Sequence, residues 1–141
     1  MALLEIKDLV TTFDVGGGKT VTAVDHVNFS VEKGKTLGIV GESGSGKSVT
    51  SLSLMRLLPK PMGQSTGQVL LDGENILALP AKEMLKIRGK KIAMIFQEPM
   101  TALNPVHTVG QQLMETVHIH FPKLSKMECL GKAIELLDQV G

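Results

Sequence analysis

The sequence predicts an α/β fold: a mixed core around a glycine loop, an antiparallel β subdomain, and the start of a helical subdomain. Three observations predict it. A short apolar run, Thr36-Leu37-Gly38-Ile39-Val40, leads into a glycine-rich segment and then a helical stretch. Alternating stretches with glycine turns lie on both sides of that unit. Beyond residue 100 the apolar spacing becomes helical.

Residues 3–10 and 21–31 alternate enough to form strands, and Gly16-Gly17-Gly18 between them marks a hairpin turn. A second turn, Lys33-Gly34-Lys35, delivers the chain to the run at 36–40, read as a buried strand. Residues 47–58 carry apolar side chains at 49, 52, 54, 55, 57 and 58. These cover much of a helix circumference, which predicts a buried helix ended by Pro59 and Pro61. Val69-Leu70-Leu71, Asp72-Gly73 and Asn75-Ile76-Leu77 form a second hairpin pattern. Pro80 opens a short helix through Arg88, and Ile92-Ala93-Met94-Ile95-Phe96 reads as another buried strand, ending at Gln97-Glu98-Pro99. Thr108-x-x-Gln111 and Ser125-x-x-Glu128 have the spacing of capping boxes. Leu130, Ala133, Ile134 and Leu137 continue with helical spacing.

Composition excludes several functions. The 141 residues carry a formal net charge of +1, so no basic footprint for nucleic acid exists. Cys129 stands alone, which excludes an internal disulfide and suits a reducing compartment. Charges interrupt the N-terminus at once, unlike a secretory signal. No apolar run reaches the ~18 residues of a membrane span, so any membrane role is expected to be peripheral.

The chemistry concentrates at Gly41-Glu42-Ser43-Gly44-Ser45-Gly46-Lys47-Ser48, the pattern Gly-x-x-x-x-Gly-Lys-Ser/Thr of a phosphate-binding loop. Two decoys lie in the same chain, Gly18-Lys19-Thr20 and Gly34-Lys35-Thr36. Five residues before their glycines stand Phe13 and Phe29, which cannot open the loop's sharp turn, and no helical run follows either. At 41–48 the glycines allow backbone N–H groups to converge without Cβ clashes. The following helix adds free amides and a dipole worth up to ~2 kcal/mol to an anion. Lys47 adds a charge worth about 4 kcal/mol gross near a phosphate, for a separation of ~4 Å and an effective dielectric of ~20. The Ser48 hydroxyl is placed to ligate Mg²⁺ beside a bound nucleotide.

Other candidates are structural. His118 and His120, two apart on a helix, fall on different faces and do not share a metal. Cys129 and the eight methionines read as packing residues.

The chain resembles the ATP-binding subunits of ABC transporters, in the dipeptide/oligopeptide/nickel branch. The resemblance rests on Ala23-Val24-Asp25-His26-Val27-Asn28-Phe29-Ser30 with the segment 34–48, on Gly67-Gln68-Val69-Leu70-Leu71-Asp72-Gly73, and on residues 92–105. In the last, Gln97-Glu98-Pro99-Met100-Thr101-Ala102-Leu103-Asn104-Pro105 is the most telling. The resemblance implies an ABC-type P-loop NTPase fold: residues 36–61 and 81–99 in the core, 1–35 and 62–80 in the β subdomain, 100–141 starting the helical subdomain. It implies ATP and Mg²⁺ as cofactors, bound by residues 41–48 and Val49, with Lys47 as the catalytic cation and Ser48 and Gln97 on the metal. Phe13 matches the aromatic that stacks on adenine, against the alternative of a plain core phenylalanine. Gln97 matches the Q-loop glutamine that touches Mg²⁺ or the attacking water and links the site to a transmembrane subunit.

Expected partners are a second ATP-binding subunit, closing head-to-tail, and transmembrane permease subunits, at the cytoplasmic face of the membrane. The signature loop, Walker B strand, catalytic Glu and switch His of the family are absent from residues 1–141. The sequence is therefore expected to be an N-terminal piece, inactive alone, of a subunit energising import of peptides or nickel. A nucleotide-binding fragment without turnover and a small-molecule kinase are the competing readings; a kinase needs neither two hairpins nor the Gln97 stretch.

Overall fold

The computed structural model describes residues 2–98, 100 and 102–141. Pro99 and Thr101 of the Gln97 motif lie outside the described residues. The chain divides into two units, Met1–Leu85 and Lys86–Gly141.

The first unit is built on a four-stranded antiparallel sheet in the order β2-β1-β3-β4. Its strands are β1 (Ala2–Asp14), β2 (Thr20–Glu32), β3 (Gly63–Leu71) and β4 (Glu74–Asn75). Both predicted hairpins are present. At the first, Gly16, Gly17 and Gly18 all have positive φ, and Gly16 N–H donates to Asp14 Oδ1 at 2.8 Å. At the second, Asp72 (φ 50°) and Gly73 (φ 82°) form the two-residue left-handed turn that Asp-Gly favours. Ile6, Leu9, Val24, Val69 and Ile76 fill the core of this unit.

A helix, α1 (Lys47–Leu54), follows the glycine loop. It is shorter than the predicted 47–58, and prolines do not end it. Leu57 N–H donates to Leu52 O (2.8 Å) and Arg56 N–H to Ser53 O (3.0 Å), the Schellman pattern, with Arg56 in the left-handed position (φ 54°) that glycine usually holds. The Arg56 guanidinium donates to Ile76 O at 3.2 Å and Leu79 O at 2.5 Å, tying this helix end to the chain beyond β4. The helix is also less apolar in its burial than predicted: its buried residues are Thr50 and Ser53.

Two predicted strands do not form. Residues 36–40 make no ladder, and Leu37, Ile39 and Val40 are exposed, Val40 at 93%. Residues 92–96 contribute one parallel bridge, Arg88 to Ile92, and Ile95 is 98% exposed. Both runs have strand composition, but a strand exists through its neighbour's hydrogen bonds, and the described chain supplies no such neighbour.

A short helix, α2 (Ala81–Ile87), begins after Pro80 and runs across the division between the units. The second unit holds α3 (Val109–His120) and α4 (Lys126–Val140). Both start at the expected capping boxes. Thr108 Oγ1 accepts from Gln111 N–H and Ser125 Oγ from Glu128 N–H, while the Gln111 and Glu128 side chains accept from the N–H groups of Thr108 and Ser125. Val117, Cys129 and Ala133 pack between these helices. Gln112 fastens the preceding loop: its amide donates to Asn104 O and His107 O and accepts from Asn104 N–H.

Candidate nucleotide phosphate site

The loop at 41–46 joins segment 36–40 to α1, and its glycines occupy distinct environments. At Gly41 a Cβ would stand 2.6 Å from Ser45 Oγ. Gly44 has φ +81°. Gly46 has φ +89°, and a Cβ there would stand 2.5 Å from the carbonyl oxygen of Ala23 on β2. Glycine at 46 thus lets the start of α1 lie directly against β2.

Lys47 returns over its own loop. Its Nζ donates to Gly41 O and Glu42 O, both at 2.6 Å, and to Ser45 Oγ at 3.2 Å. The ammonium therefore closes the loop into a ring and stands at its mouth. The first hydrogen bond of α1 runs from Thr50 N–H to Gly46 O at 2.8 Å, so the amides of Lys47, Ser48 and Val49 precede it. The N-cap Gly46 offers no side-chain acceptor, whereas α3 and α4 are both closed by capping boxes. Free amides, a helix dipole and a lysine at one loop form an anion site. The Ser48 hydroxyl is exposed at the same turn. An exposed hydroxyl oxygen is a donor type that suits a hard cation such as Mg²⁺, which takes one or two protein ligands and keeps phosphate oxygens and water for the rest.

The two decoys behave as turns. Gly18-Lys19-Thr20 leads into β2, and Gly34-Lys35-Thr36 follows its end. Glu42, Ser43, Gly44 and Ser45 sit exposed within the loop, and Val49 is half-buried in α1. Phe13 is half-buried in β1, paired with Val21 and Gly63, and a Cβ at Gly63 would stand 3.0 Å from Phe13 Cε1. Gln97 is exposed in a bend of the second unit. Residues 41–49 thus form one continuous loop and helix start, and Phe13 lies on β1 of the same unit.

The sequence model described as "ABC transporter" matches residues 24–141. The chain belongs to the ABC transporter family. Among curated relatives, the oligopeptide transport ATP-binding protein OppD of Bacillus subtilis is 51% identical over 140 residues, covering 99% of this chain and 38% of that protein. A probable peptide ABC transporter ATP-binding protein of Sinorhizobium fredii is 52% identical over 136 residues, 96% of this chain and 40% of its own. OppD of Escherichia coli is 50% identical over 139 residues, with 99% and 40% covered. The chain spans about two fifths of the length of these relatives. Its fold is similar to that of an ABC ATPase cassette, MJ0796, solved as a post-hydrolysis dimer bound to ADP and Pi. That likeness has a TM-score of 0.75 at 24% identity and covers 96% of this chain and 56% of the other.

Sequence reasoning about this ABC cassette segment missed two contributors to the site, Ala23 and the hydroxyl face of α1. Ala23 acts through its backbone carbonyl, which leaves no side-chain signal. The hydroxyl face was visible as Thr50 and Ser53, but a reading by apolar periodicity passes over buried hydroxyls.

Proposed function

We propose that this chain is the ATP-binding part of an ABC transporter subunit that energises import of small peptides. The observation that carries the reading is Lys47 Nζ at the mouth of an uncapped helix N-terminus. The names of the relatives, which include oligopeptide and dipeptide transport ATP-binding proteins, favour peptides over nickel as cargo.

In this reading the loop amides and the first amides of α1 bind the β- and γ-phosphates of ATP. Lys47 exchanges neutral carbonyl partners for anionic phosphate oxygens, a gain in charge-assisted hydrogen bonding. Ser48 holds Mg²⁺, which supplies charge neutralisation across the phosphates when bound. Phe13 stacks on the base, and Gln97, assigned by its motif, contacts the metal or the attacking water. Two such subunits close head-to-tail, each completing the other's site, and drive permease subunits at the cytoplasmic face of the membrane. The dimeric cassette of the same fold supports the pairing.

Titration of the chain with Mg-ATP tests the reading: Lys47→Ala is expected to weaken binding at least tenfold, and equal affinities overturn it. Phosphate release by residues 1–141 alone is expected to match that of Lys47→Ala, because residues 1–141 contain no Walker B strand ending in Asp followed by a catalytic Glu. Turnover that depends on Lys47 would refute that expectation.

A further inference from the structure

Ser53 faces the sheet from α1 with 0% exposure, and its hydroxyl donates to Val49 O at 2.7 Å. A hydroxyl has one proton to give. Ser53 Oγ therefore meets Thr11 Oγ1, 2.7 Å away, as an acceptor. Thr11, itself 0% exposed, has then spent its proton on Ser53 and accepts from Ser65 Oγ at 2.9 Å. Every proton in the chain of bonds has one direction: Ser65 on β3 to Thr11 on β1 to Ser53 on α1 to the carbonyl of Val49.

Val49 belongs to the turn of α1 that presents Lys47 and Ser48. The fully buried residues of α1 are Thr50 and Ser53, while its apolar residues Val49, Leu52 and Leu54 are only half-buried. Apolar contact would in any case leave rotation about the axis soft, whereas hydrogen bonds are directional. Gly46 against Ala23 O is the second fixed point, at the helix start.

We propose that the Ser65–Thr11–Ser53–Val49 hydroxyl chain is a positioning device for the phosphate site. It sets the rotation of α1 and thereby the place of Lys47 and Ser48 beneath the nucleotide. Thr11, Ser53 and Ser65 are positioning residues with no contact to the ligand. The effect on nucleotide affinity rests on the P-loop reading above; the effect on the helix does not.

The test compares Thr11→Val, which removes the hydroxyl at nearly constant shape, with Thr11→Ser, which keeps it, in the 141-residue chain. Mg-ATP affinity is measured by titration, and amide hydrogen exchange of α1 is measured without nucleotide. Thr11→Val is expected to lower affinity and raise exchange about tenfold each, the loss of a buried hydrogen bond. Thr11→Ser is expected to stay within about twofold of wild type in both. Wild-type affinity in Thr11→Val, or an equal loss in Thr11→Ser, overturns the proposal. A parallel Lys47→Ala titration separates the two readings. If Lys47→Ala binds as tightly as wild type, the P-loop reading fails and exchange decides: unchanged exchange in Thr11→Val overturns the device, and raised exchange supports it. Should Thr11→Val fail to fold, Ser65→Ala at the half-buried outer end gives the same comparison, with about a threefold loss expected and none overturning it.

Discussion

Asp8 and His26 grip each other from bulges on neighbouring strands. Asp8 Oδ1 and His26 Nδ1 stand 2.5 Å apart, and both residues have left-handed backbones, with φ 53° and 48°. Asn28 braces the pair, accepting from Asp8 N–H and donating to His26 O, both at 2.8 Å. On the other side of β1, Gly67 (φ +96°) leaves room for the bulge, since a Cβ there would overlap the Asp8 carbonyl.

This pair predicts a pH effect. The hydrogen bond that the imidazole donates to Asp8, the charge of Asp8, and more weakly that of Asp25 raise the His26 pKa above the ordinary 6.5. The raised folded value means that the pair's stabilisation is complete below about 6.5 and is lost as pH rises through the folded pKa. Both side chains are exposed, so the effect is small. The imidazole titration followed by NMR is expected to have a midpoint above 6.5 in wild type and a lower one in Asp8→Asn, a substitution that tolerates the left-handed backbone. Equal midpoints in the two proteins contradict the prediction.

At the phosphate loop, Gly46→Ala is expected to do more damage than Gly41→Ala. The first drives a Cβ into the fixed carbonyl of Ala23 at a positive φ; the second meets Ser45 Oγ, the end of a side chain that can turn. A loss beyond about 2 kcal/mol is expected for Gly46→Ala, from left-handed strain plus the backbone clash. Adding Ser45→Ala is expected to restore much of the stability of Gly41→Ala and none of that of Gly46→Ala. Thermal unfolding of the four proteins decides it, and equal rescue would refute the steric account.

Arg56 combines an unfavourable backbone with two favourable carbonyl contacts. Arg56→Ala keeps the strain and loses the contacts, and is expected to cost about 2 kcal/mol. Arg56→Gly loses the same contacts but relieves the strain, and is expected to be about 1 kcal/mol more stable than Arg56→Ala. Urea unfolding that finds Arg56→Ala the more stable of the two would remove Arg56 from its capping role.

The start of α4 depends on Ser125 and Glu128. The hydroxyl and N–H of Ser125 hold the Glu128 carboxyl below its ordinary 4.5. A lowered folded value means that this contribution is present above pH 4.5 and lost as pH falls through the folded pKa. Ser125→Ala is expected to cost about 1 kcal/mol, the usual loss of a helix cap. It is also expected to move the Glu128 titration up toward 4.5; a Glu128 midpoint unchanged by the substitution counts against the box.

What was legible in the sequence shares one property: its partners lie within a few residues. The turn at Asp72-Gly73, the boxes at Thr108 and Ser125, and the loop at 41–48 close on themselves, so residue type and spacing determine them. The apolar runs at 36–40 and 92–96 show the limit. Their composition is that of strands, but a ladder is a property of two segments, and among the described residues neither run has its second.

By itself, then, the sequence determined the phosphate loop: glycines at 41, 44 and 46, Lys47 as its cation, and a helix to follow. Only the tertiary structure decided how that helix is held. Gly46 rests on the carbonyl of Ala23, and Ser53 hangs from Thr11, 42 residues earlier in the chain. Backbone carbonyls carry no sequence identity, and a hydroxyl becomes a fastening only when folding brings its partner within 3 Å and shuts out water.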